Sequence, residues 1–216
     1  MGKTPGSVFL SAGSLASKGG PWYFRSMAAT ALLKLTVDDY LALPEDGRRY
    51  QLVDGDLVMA PAPLRYHQRI LLRLSYLIMD YLEEHPEGEL NVAPFDVHLD
   101  EHNVFQPDLC WFSDERSRFL SRRGAEGPPD WVIEILSDST ARTDRIPKRT
   151  LYAKFGVREL WLIDPDSDLI ERYLLQEDPS QPEGIYRLGE HETIVPSVLP
   201  EMTLRLDSFL GEQRPG

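Results

Sequence analysis

The sequence has a single cysteine, Cys110, so it can form no internal disulfide and no Cys-rich zinc cluster. That scarcity fits a reducing compartment, and the chain is read as cytoplasmic. Nothing in it approaches the roughly 18 uninterrupted apolar residues that a membrane span requires. The run from Ser7 to Ala16 is too short, and too broken by Gly and Ser, for the apolar core of a secretion signal. A soluble, unsecreted protein without a membrane partner is therefore expected. Positive charge is also short: 23 Lys and Arg stand against 35 Asp and Glu, for a formal net charge of -12. Such a balance repels a phosphate backbone and argues against nonspecific nucleic-acid binding. Internal repeats are lacking, as is any linker after Thr36, and 42% hydrophobic content over 216 residues suffices for one well-packed domain.

The charge is unevenly spread. From Arg116 to Arg158 ten basic residues face five acidic ones, a net of +5, which leaves -17 on the remainder. A positive face on a negative body suits a polyanionic ligand, and an ordinary solvated helix would give the same count. Residues 1–29, rich in Gly, Ser and Ala, read as a disordered tail, an expression remnant or translation upstream of Met27. One domain over 30–212 is expected.

Local patterns predict a mixed α/β fold. Thr36 with Asp39 three residues on opens a short helix that ends near Leu43-Pro44. Two β-prone runs, Tyr50–Val53 and Asp56–Met59, flank Asp54-Gly55, a strong hairpin signal. Ile70, Leu71, Leu74, Leu77, Ile78, Tyr81 and Leu82 recur at helical spacing between Leu64 and Glu84, with a stop at His85-Pro86-Glu87-Gly88. Strands are predicted over 92–99 and 104–112, joined by the turn at 100–103 and followed by a polar loop. Trp131–Leu136 reads as a central strand buried on both faces. A helix capped by Asp144 runs to about Phe155 with Gly156 as its stop, and Glu159–Ile163 forms another buried strand. Outer strands follow at 169–175 and 185–188, and 202–209 closes the chain as a strand, or as a strand followed by a short helical turn.

The chemistry concentrates at three residues. Glu134 shares a strand face with Val132 and Leu136, where an unpaired carboxylate costs several kcal/mol, so a cation, donors or a raised pKa must accompany it. Asp108, just after Pro107, heads a neighbouring strand. Carboxylates on adjacent strands can converge on one hard cation such as Mg²⁺ or Mn²⁺, with water and a substrate phosphate completing the shell. Lys148 shares a helix face with Tyr152, and an ammonium beside such a site can orient a nucleophilic water. Taken singly, the three also fit a buried Glu–Arg pair, a turn cap and a solvated lysine. His67, early in its helix, can steady the site or the substrate, or can simply pack or cap. Cys110 reads as a small buried apolar group.

These residues stand in an ordered set: Phe105-Gln106-Pro107-Asp108, then Pro129 to Ser137 around Glu134, then Asp144, Lys148, Tyr152 and Gly156 to Pro165. With Tyr50 to Leu57, His67 and Pro94-Phe95-Asp96-Val97, the set resembles the Uma2 family of the restriction-endonuclease-like, or PD-(D/E)XK, superfamily over about residues 36–175. The resemblance implies a central mixed sheet flanked by helices, a Mg²⁺-dependent nuclease acting on DNA, and often a homodimer, for which the strands after Leu169 offer an edge. It makes Asp108 and Glu134 the metal ligands, with Asp96 a further one if its strand presents it on the same side. For a nuclease of this kind Arg145, Arg149, Tyr152 and His67 are the expected substrate-binding residues.

Two positions depart from the pattern. Leu136 stands where a lysine is usual, so Lys148 is the candidate for a migrated lysine, and Gln51 stands where members often carry Glu. The leading reading is an endonuclease hydrolysing phosphodiester bonds of DNA. Its rival is a nuclease fold without turnover that serves as a binding or scaffolding module, and a nuclease for RNA or small nucleotides stands third.

Overall fold

The computed structural model describes residues 34–44, 46–60, 62–136 and 145–211, with the backbone alone at 145–147. Thr36 caps helix α1 (Val37–Leu41): its hydroxyl accepts the Asp39 N–H, and the Asp39 carboxylate accepts the Thr36 N–H in return. Strands β1 (Arg49–Val53) and β2 (Asp56–Ala60) pair antiparallel around Asp54 and Gly55, both at positive φ (49° and 80°). Left-handed backbone at both central positions is the turn whose twist matches a hairpin. Helix α2 (Arg65–Glu84) buries His67, Ile70, Leu74, Ile78 and Leu82 along one stripe.

The two strands predicted over 92–99 and 104–112 each break at a proline. Strand β3 (Glu89–Val92) is separated from β4 (Asp96–Asp100) by Ala93-Pro94, and β5 (Asn103–Phe105) from β6 (Leu109–Phe112) by Gln106-Pro107-Asp108. Proline has no N–H to give a ladder, so each strand leaves one sheet there and joins another. The predicted polar loop holds a 3-10 turn at Arg116–Phe119 and the short strand β7 (Gly124–Ala125). Then come β8 (Trp131–Ile135), α3 (Arg145–Phe155), β9 (Glu159–Asp164), β10 (Leu169–Leu174), β11 (Gly184–Arg187), β12 (Thr193–Ile194) and β13 (Leu204–Arg205), the last running into a 3-10 turn at Leu206–Ser208. The expected Asp144 cap lies outside the described residues.

One sheet runs β2-β1-β5-β4-β7, a second β11-β10-β9-β8-β6-β3, and β12 and β13 form a small pair. In the second sheet β8 is parallel to β9 and antiparallel to β6. Alternation along β8 divides the core. Trp131, Ile133 and Ile135 pack on the α2 side with Trp161 and Ile163, while Val132 faces the other side with Cys110, Tyr152, Leu160 and Leu162. Trp131 and Trp161 meet edge to face, with centroids 4.7 Å apart, a contact worth about 0.5–1.5 kcal/mol beyond its burial. Among the described residues no helix is long and apolar enough to cross a membrane.

Candidate active site

The β6–β8 register sets the site. Leu109 pairs with Ile133 and Cys110 with Val132, so one step back along β6 puts Asp108 across from Glu134. Beyond the end of β6 the Ile135 N–H has no strand carbonyl to meet; it donates instead to Oδ2 of Asp108 at 2.8 Å. His67 Nε2 lies 3.1 Å from that same oxygen. Among the described residues, no protein hydrogen bond reaches Asp108 Oδ1.

Glu134 lies on the Val132 face of β8, over α3. Its Oε1 accepts from Lys148 Nζ at 3.2 Å and from the Tyr152 hydroxyl at 2.8 Å. The spacing of one helical turn puts both donors on one side of α3, as expected. Burial pushes the Glu134 carboxyl above the usual range, the Lys148 charge opposes this, and the Asp108 charge adds to it. Burial, with the Glu134 charge behind it, holds the Tyr152 phenol well above its ordinary pKa, so it stays protonated as a donor. The same causes raise the Cys110 thiol, which is an inert core group, 1% exposed.

These groups open on a cleft of about 100 Å³ that water can enter, lined also by Arg49, Gln51, Gln106 and Arg149 and roofed by apolar residues including Met59 and Leu136. One ordered water needs roughly 10–15 Å³ on that measure, so several fit. Arg149 stands 4.8 Å over the Tyr173 ring, and its Nε is buried without a hydrogen-bond partner. Gln51 Oε1 accepts the Gln106 N–H at 3.3 Å, and Gln106 Oε1 is buried with no partner.

The structure thus brings Asp108, Glu134, Lys148, Tyr152, His67 and Arg149 to one cleft. Asp96 does not line it; its Oδ1 accepts from Tyr40 at 3.0 Å and from Gln106 Nε2 at 2.7 Å. The Arg145 side chain lies outside the described residues. Of the basic segment from Arg116 to Arg158, only Lys148 and Arg149 line the cleft among the described side chains. Arg116 and Arg158 instead place Nε at 3.2 and 3.1 Å from Oδ1 of fully buried Asp130, at the opposite end of β8 from Glu134. Sequence reading passed over Arg49 and Gln106. The signals were there: Arg49 alternates with Gln51 along one strand, and Gln106 directly precedes Pro107-Asp108.

For a divalent cation the available donors are Asp108 Oδ1 and Glu134 Oε2, hard oxygens free of protein hydrogen bonds among the described residues. Like charges in register across two strands, one of them raised by burial and by the other, suit a shared cation. Among the described residues no group of three or more His, Cys, Asp and Glu is arranged to hold a metal. A divalent cation placed there would have these two carboxylates and would need water or substrate to complete its shell, a composition that Mg²⁺ accepts.

The family profile described as "Uma2: Putative restriction endonuclease" matches residues 37–207. No curated protein matches the sequence. Among solved structures, one titled as a putative nuclease belonging to DUF820, from Anabaena variabilis, superposes with a TM-score of 0.68 at 23% identity, covering 81% of this chain and 97% of that one. At that identity the likeness concerns the fold. With the profile match spanning most of its length, the chain belongs to the Uma2 family and has the restriction-endonuclease-like fold.

Proposed function

We propose that this protein is a metal-dependent endonuclease that hydrolyses phosphodiester bonds of DNA. The observation that carries the reading is the pair Asp108 and Glu134, opposed in register at the floor of a cleft, with Lys148 bonded to Glu134 at 3.2 Å. Asp108 and Glu134 would hold Mg²⁺ or Mn²⁺, which when bound lowers the pKa of water and offsets charge on the scissile phosphate. Lys148 opposes the rise that burial imposes on the Glu134 carboxyl and offers further N–H donors to a water or a phosphate oxygen. Tyr152 fixes the rotamer of Glu134. Arg149, held over Tyr173, brings a second cation to the cleft, and Arg49 a third. Arginine's planar fork matches phosphate geometry. Plasmid incubated with Mg²⁺ or Mn²⁺ should be cut by the wild type and not by Asp108→Ala or Glu134→Ala; cleavage surviving both substitutions would locate the activity elsewhere.

A second reading, a nuclease fold without turnover that acts as a binding or scaffolding module, is favoured by Gln51. A neutral amide lines the cleft there and adds no charge for a metal. Calorimetry separates the two, since a module without a metal site would bind no Mn²⁺ in a Glu134-dependent way. For assembly we propose a homodimer across the outer face of α2. Leu72, Tyr76 and Met79 are exposed there, with Arg73 on the N-terminal side and Asp80 and Glu83 on the C-terminal side. An antiparallel second copy would set Arg73 of one copy against these acids of the other.

A further inference from the structure

We propose that His67 is a positioning residue that, together with the Ile135 N–H, saturates one oxygen of Asp108 and leaves only the other for a cation. This inference rests on the reading of Asp108 as a metal ligand. A carboxylate rotates freely about its last torsion, because that well is broad. An Asp108 side chain at the end of β6 could therefore grip a cation through both oxygens or swing toward the Lys148 ammonium. Two donors from two other elements prevent this. The Ile135 N–H on β8 and the His67 ring on α2 meet the same Oδ2, at 2.8 and 3.1 Å. With both lone pairs of Oδ2 used, Oδ1 alone is presented to the cleft, and the binding mode of Asp108 is set before any ligand arrives.

His67 stands out on its own helix. It is the one polar member of the buried stripe of α2, where Ile70, Leu74, Ile78 and Leu82 do the packing, and it is 8% exposed. An ionised carboxylate only accepts hydrogen bonds, so the network assigns the ring proton to Nε2 and leaves Nδ1 an acceptor. Nδ1 is buried with no hydrogen-bond partner. Burying an acceptor that way is unfavourable, a cost that a leucine at the same place would avoid. A cost of that kind is retained where the other end of the ring has a task, and here that end is on Asp108. Partners that orient a metal ligand typically change metal affinity by about 10–100-fold when removed.

The test compares His67→Ala, His67→Asn and His67→Gln. A glutamine amide reaches the place of Nε2, whereas an asparagine amide reaches only that of Nδ1. Two readouts are taken on the full chain, with melting curves in EDTA as the control for folding. Hydrogen exchange of the Ile135 amide, in EDTA, reports whether Asp108 Oδ2 stays in place without any metal. Mn²⁺ affinity by electron paramagnetic resonance reports the consequence. The expected result is faster Ile135 exchange and at least tenfold weaker Mn²⁺ binding in the Ala and Asn variants, with both restored to near wild type by Gln. Should the Ala variant fail to fold, the contrast between Gln and Asn decides. Ile135 exchange unchanged in the Asn variant would overturn the proposal. Exchange altered as expected in a protein that binds no Mn²⁺ would instead uphold the positioning contact and refute the metal reading.

Discussion

Replacing Lys148 by methionine removes the charge that most opposes the raised pKa of Glu134 while keeping most of the side-chain volume. The ammonium and carboxylate are 3.2 Å apart and their side chains are 15% and 14% exposed. At an effective dielectric constant of about 20 the gross attraction is about 5 kcal/mol. Relief of lysine desolvation offsets part of this, and Glu134 can escape the rest by taking a proton, so a net loss of about 3 kcal/mol at about pH 8 is expected. The pH dependence identifies the cause. A carboxyl whose folded pKa lies above its unfolded value, about 4.3, binds its proton more tightly in the folded chain. Its contribution favours folding at low pH and is lost as pH rises through the interval between the two values. Burial and the Asp108 charge raise Glu134, and Lys148 is the largest influence lowering it. The variant should therefore push the upper end of that interval higher. Urea unfolding in EDTA should show the two proteins nearly equal at about pH 5 and the variant falling progressively behind toward about pH 8. In a Glu134→Gln background the Lys148→Met difference should become flat with pH. A difference of the same size at both pH values in the Glu134 background would refute the reasoning.

Other perturbations separate the site from its supports. Asp130→Ala leaves the Arg116 and Arg158 guanidinium groups, now 3.2 and 3.1 Å from its carboxylate, without that partner; because Arg158 is half exposed and Arg116 keeps its backbone acceptors, a loss of about 1–3 kcal/mol is expected in denaturant unfolding, with Mn²⁺ affinity retained. Glu159, fully buried and raised by that burial, accepts from Trp161 Nε1 at 2.6 Å and from the backbone of Ser197 at 2.7 Å and Val198 at 3.3 Å. Glu159→Gln turns an amide N–H₂ against one of these donors and should cost about 1–3 kcal/mol, read from the urea midpoint. Gln51→Glu adds an anion to the cleft and should tighten Mn²⁺ binding about tenfold, or about 1.4 kcal/mol, by calorimetry; weaker binding would show that position 51 does not face the cation.

Much of the fold was legible because its signals are local. The α2 stripe recurs at helical spacing, the Thr36–Asp39 box closes within four residues, and Asp54-Gly55 turns the hairpin by its own backbone preference. The apolar run at Trp131–Ile135 announced a buried strand, and Glu134 within it announced a buried charge in need of partners. What stayed hidden depends on distance along the chain. Nothing near Gln106-Pro107 says that β5 and β6 belong to different sheets, although Pro107 marks where a ladder must stop. His67 and Asp108 are 41 residues apart and meet only once α2 has packed on the second sheet. Arg116 and Arg158 counted toward a basic face, yet they converge on buried Asp130, a destination that charge counting cannot reveal.

The central claim is that Asp108 and Glu134 share a divalent cation. A crystal soaked in Mn²⁺ and measured at the manganese absorption edge tests it directly. An anomalous peak between Asp108 Oδ1 and Glu134 Oε2, with His67 still on Oδ2 and Lys148 still on Oε1, is the predicted result. A map at saturating Mn²⁺ with no peak between the two carboxylates, while they keep those same protein contacts, would contradict it.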